Sequence, residues 1–113
     1  MSKDNHKVAR ICGPGWDKIL APVLKELNRL DFTVMEVKEK FGKLRVSYDE
    51  SFDSAITDEV LTKVRAMVDE AEEKSGHVCE LCGEPGKMME SGHWLKTLCI
   101  WHAKELGYNK FAN

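Results

Sequence analysis

Three of the four cysteines in this 113-residue chain fall in one stretch, as Cys79-x2-Cys82 and, after sixteen intervening residues, Cys99-x2-His102. Thiolate sulfur and imidazole nitrogen are ligands that a borderline-soft divalent ion takes, and two pairs at this spacing are the pattern of structural zinc sites. Cys79, Cys82, Cys99 and His102 are therefore the expected ligands of one Zn2+. Four protein ligands leave no open position for an activated water, so the expected ion is structural. His77 and His93 are the other histidines near enough to replace His102 as the fourth ligand.

Other uses of the same residues fit less well. A redox Cys-x-x-Cys wants a helix beginning on the motif, whereas Gly83 and Pro85 follow it here. Disulfides would leave one of the three clustered cysteines unpaired. An HNH-type nuclease needs a general-base histidine, usually beside an acidic residue, and a second metal-binding histidine. His93 has no acidic residue directly before it, and His102 is taken as a ligand. Cys12, the fourth cysteine, has no base nearby in sequence and reads as a small buried hydrophobe.

The elements that must hold these ligands can be read around them. A Cys-x2-Cys turn followed by Gly83 forms a knuckle. Residues 87–89 and 93–97 are two short strands turning at Ser91-Gly92, and a helix over 100–106 carries the second pair in its first turn. Knuckle, hairpin and helix in that order make a treble-clef-like finger. Upstream, Gly13-Pro14-Gly15-Trp16 is a turn, and Trp16 begins an apolar stripe at 16, 19, 20, 23, 24, 27 and 30, the period of a helix. Pro22 either kinks that helix or marks its true first turn. Residues 32–37 and 44–48 read as a β-hairpin, joined by Lys38-Glu39-Lys40-Phe41-Gly42. A second helix runs from Thr57, a good N-cap, to about Ser75, with Val60, Leu61, Val64, Met67, Val68 and Ala71 inward and Asp69, Glu70, Glu72 and Glu73 outward. Gly76 ends it.

The expected fold class is α+β: helix, β-hairpin, helix, then the zinc finger. Residues 1–76 form the core and 77–113 the finger packed on it, within one compact domain. Two strands make a marginal sheet, so a third strand from residues 8–12 or a dimer is expected. A tail after Gly107 packs back through Tyr108 and Phe111.

Composition narrows the function. The formal net charge is −2, but residues 1–49 carry ten Lys/Arg against seven Asp/Glu, residues 50–78 three against eight, and the remainder four of each. A dedicated nucleic-acid binder has a stronger basic footprint. No apolar run approaches a membrane span, and the opening Met-Ser-Lys-Asp-Asn-His lacks a signal pattern, so a reducing cytoplasm is expected. Two binding modes remain for the hairpin, where Lys38, Lys40, Lys43 and Arg45 surround Phe41. They form either a grip on a phosphate backbone with a stacking ring or a charged rim around an aromatic hot spot for a protein. A solvated tip with Phe41 folded under is the third reading. Trp94 and Trp101 complete the candidate binding surface.

Three segments together, the Gly-Pro-Gly-Trp turn, Lys38-Glu39-Lys40-Phe41-Gly42-Lys43-Leu44-Arg45, and the Cys-x2-Cys with Cys-x2-His finger, resemble a group of small, uncharacterised phage and prophage proteins. The resemblance implies a product acting in the bacterial host cytoplasm and brings no established activity. It favours a protein-binding role, such as inhibition of a host or defence factor, with nucleic-acid binding through the basic hairpin as the alternative. A relic of an HNH nuclease is the third reading.

Overall fold

In the computed structural model, which describes residues 8–49 and 57–111, the apolar stripe folds as helix α1, Asp17–Arg29. It is entered through a single 3₁₀ turn, Pro14–Trp16. Trp16, Leu20, Val23, Leu24 and Leu27 are buried along it. Pro22 does not mark the first turn: it is the sixth residue of α1, where its missing N–H removes one helical hydrogen bond. Asp31, in the left-handed region at φ 64°, turns the chain out of the helix. The N-terminal tail before Val8 and the acidic loop beyond Asp49 lie outside the described residues.

The first sheet has the order β1 (Arg10–Ile11), β2 (Thr33–Lys40), β3 (Lys43–Asp49). The third strand that a lone hairpin needs is thus supplied by the chain itself, parallel to β2. The hairpin is longer and its turn tighter than the sequence pattern suggests. Lys38, Glu39 and Lys40 belong to β2, and Phe41 and Gly42 alone make the turn, with φ 53° and 85°. Two successive positive φ values suit the right-handed twist of paired strands. A register shift between Val34 and Glu36 lets Val34 and Val37, three positions apart, both face the core.

Helix α2, Asp58–Ser75, starts as expected: the Thr57 side chain accepts the Val60 N–H at 3.1 Å. Leu61, Val64, Val68 and Ala71 are buried against α1 and the sheet. The acidic run at its end is not a uniform outer face. Glu72 reaches the edge of β3 and accepts the Val46 N–H at 3.0 Å, and Ser75 Oγ accepts that of Leu44 at 2.8 Å. The open edge of the sheet is thereby covered by side chains of α2.

The finger is a second sheet with the order β5 (Trp94–Leu98), β4 (Lys87–Ser91), β6 (Asn109–Lys110), with helix α3 (Ile100–Leu106) after β5. Its hairpin turns at Gly92-His93, one residue later than expected. The tail packs back, but as strand β6 on β4. Tyr108 joins the small core of Cys79, Met89, Leu98 and Ala103, while Phe111 stays exposed.

Candidate metal centre

Cys79, Cys82, Cys99 and His102 converge, with their ligand atoms all within 4.8 Å of one another. Cys82 Sγ lies 3.8 Å from Cys99 Sγ, and His102 Nδ1 lies 3.6 Å from Cys79 Sγ and 3.3 Å from Cys99 Sγ. A tetrahedron built on Zn–S bonds of about 2.3 Å and a Zn–N bond of about 2.05 Å has S···S edges of about 3.8 Å and S···N edges of about 3.6 Å. The separations are those of ligands around one ion, and all four cysteines are free thiols. The residues present fit the metal that their spacing predicts.

Local structure explains the convergence. The knuckle closes on itself: Gly83 N–H donates to the Cys79 carbonyl at 2.9 Å, Cys79 N–H to that of Glu84 at 2.7 Å, and Gly86 N–H to that of His77 at 2.9 Å. Gly83 takes φ 82°, where a side chain would be strained. On the other side Cys99 is the N-cap of α3, its sulfur accepting the His102 N–H at 3.4 Å. The cap places the imidazole one turn on, beside that sulfur. Burial pushes the Cys79 thiol up. Backbone N–H groups of Cys99, Cys82 and Leu81, together with the Cys82 thiol, more than offset this and bring it down to about 6. A metal ligand must be a thiolate, and Cys79 is the cysteine held toward that form. At Cys82 the Glu84 backbone N–H is outweighed by burial and the neighbouring Cys79 and Cys99 sulfurs, which raise its thiol.

The finger is held by a socket assembled from two distant turns. Gly15 N–H donates to the Glu80 carbonyl at 2.6 Å, Gly13 N–H to the Glu80 carboxylate at 2.9 Å, and the Trp16 indole to the Val78 carbonyl at 2.8 Å. A Cβ on Gly15 would run into the backbone of Cys79 and Glu80, so this close approach requires glycine. The second turn is the tip of the β2–β3 hairpin. The Gly42 carbonyl accepts from Thr97 Oγ1 at 2.7 Å, and a Cβ there would meet the Met88 side chain. Lys96 joins the two contacts, 3.3 Å from Glu80 and 3.9 Å from Glu39. The finger therefore docks on the Gly-Pro-Gly-Trp turn and the hairpin tip, as well as following the end of α2. Glu80 and Lys96 went unmarked in the sequence. No local pattern links Glu80 to Gly13, which lies 67 positions away.

The other candidates are scattered. His77 is exposed and 3.9 Å from Glu73, and His93 is exposed in the β4–β5 turn, so neither joins the cluster. No second group of metal-capable side chains occurs among the described residues. Phe41 is not folded under the tip: it is 69% exposed, with the Lys40 ammonium 5.7 Å from its ring centre. Lys38 pairs with Glu36 at 3.2 Å, Lys43 with Glu73 at 3.2 Å and Arg45 with Glu72 at 3.7 Å. Trp94 and Trp101 are both exposed but belong to different elements, Trp94 opening β5 and Trp101 lying in α3. Cys12 is half-buried. Burial and the nearby Glu80 and Asp17 carboxylates raise its thiol above the ordinary value, against the pull of Arg10, which suits an inert side chain.

Compared with known protein families, curated proteins and solved structures, the chain matches none. No helix among the described residues is long and apolar enough to cross a membrane.

Proposed function

We propose that the chain is a zinc-stabilised protein-binding module that acts in a reducing, cytoplasmic environment. One Zn2+ held by Cys79, Cys82, Cys99 and His102 supplies a cross-link between the knuckle and α3. The soft, closed donor set supports zinc in a structural role, because it leaves no site for a substrate or an activated water. The chain's own residues then do the binding, through the outward face of the finger.

The observation that carries a protein partner over a nucleic acid is the state of the basic hairpin. Lys38, Lys43 and Arg45 each lie within 4.0 Å of a carboxylate of this chain, so a phosphate backbone would have to compete with Glu36, Glu73 and Glu72. The finger instead exposes large apolar side chains, Ile100 at 66% and Trp101 at 67%, of the kind that anchor protein interfaces. The motif resemblance adds a bacterial host factor as the expected partner class.

The test is a pulldown from bacterial lysate with the zinc-loaded chain, with and without nuclease. A protein retained after nuclease and across a range of salt supports the proposal. Capture that vanishes with nuclease, falls steeply with salt and is lost in Lys40→Glu/Lys43→Glu would replace it with nucleic-acid binding.

A further inference from the structure

Beside the metal ligands, the finger carries an apolar groove of about 270 Å³ between the start of β4, the end of β5 and β6. Met89 and Leu98 form its floor, and Pro85 and Ile100 are among its walls. Its lining also includes two exposed lysines, Lys87 and Lys110. Neither lies within 4.0 Å of a carboxylate among the described residues, in contrast to the lysines and arginine that pair with acids in the core. We propose that this groove binds an acidic protein segment, with one aliphatic or aromatic side chain inserted over Met89 and Leu98 and flanking carboxylates paired with Lys87 and Lys110.

Charge complementarity selects that occupant. An apolar floor alone would accept any hydrophobe, but two uncommitted ammoniums beside it favour an anionic segment and disfavour a basic one. Nucleic acid is the poorer fit. Its bases bind by stacking on flat aromatic rings, and the groove contains none. The inference rests on the protein-binding reading and names the site and partner chemistry within it. Cys99, a proposed metal ligand, is in the lining as well, so the groove lies directly beside the metal centre.

The probe is a displayed library of random dodecamer peptides, selected on the zinc-loaded full chain. Enriched peptides should carry one large apolar residue flanked by Asp or Glu, and Lys87→Glu/Lys110→Glu should bind them about tenfold more weakly. Ile100→Asp should weaken them as well, while both variants retain bound zinc and the wild-type circular dichroism. Selection of peptides without acidic residues, no enrichment, or affinity indifferent to both variants overturns the groove. So does displacement of the peptide by an oligothymidylate whose own binding needs Lys87 and Lys110. The two readings fail differently. A lysate protein held equally by wild type and Lys87→Glu/Lys110→Glu discards the groove and keeps the protein-binding function, whereas no protein held by either discards both.

Discussion

A carboxylate only 3% exposed, like that of Glu80, is stable where donors replace its lost water. It has them in the Gly13 N–H and the Lys96 ammonium. Glu80→Ala would leave the Gly13 N–H without its acceptor and is expected to destabilise the metal-loaded chain by about 1–3 kcal/mol in urea unfolding. A loss below about 0.5 kcal/mol, the ordinary scatter of surface substitutions, would show that the carboxylate does not hold the socket. Cys82→Ser and Cys12→Ser separate the ligands from the bystander: the first should abolish metal binding, the second should leave it unchanged. The convergence of Cys79, Cys82, Cys99 and His102 was legible from spacing, because two-residue gaps on a turn and on a helix bring sulfur and nitrogen together. Glu80 was not legible, since its partner Gly13 lies 67 positions away.

At the level of elements, periodicity and capping were readable and edges were not. The Thr57 cap and the inward face of α2 follow from local residue types, and Thr57→Ala should cost about 1 kcal/mol of stability by urea denaturation. A negligible change would mean that the helix start is held by packing instead. The extent of β2 was harder to see. Lys38, Glu39 and Lys40 look like loop residues, yet they continue β2, where Glu39 meets Lys96 of the finger, and the turn needs only Phe41 and Gly42. Strand β6 has two residues, Asn109 and Lys110, too few for any alternation to register. In the sequence the acidic end of α2 reads as an outward face and the basic hairpin as a candidate binding surface. In the fold they meet one another, through Arg45 with Glu72 and Lys43 with Glu73.

For the molecule as a whole, the segments that stand out in the sequence serve one another. Gly13, Gly15 and Trp16 meet the knuckle, Glu39 and Gly42 meet β5, and the finger extends the hairpin into a body of 49 × 27 × 21 Å. The class, α+β with a C-terminal Cys3His cluster, was therefore readable. The socket was not, because it is built wholly from contacts between distant turns. Coupling through the socket has a consequence for Trp16. In a Trp94→Phe/Trp101→Phe background, chelation should shift the emission of the buried Trp16 to the red as its bond to Val78 is lost; an unchanged spectrum would mean that core and finger are independent. The most direct measurement is native mass spectrometry of the purified chain. One zinc ion per chain is expected, absent from Cys82→Ser and removable by a chelator with loss of ordered finger structure. A metal-free chain whose finger stays folded would contradict the metal centre on which the proposed function stands.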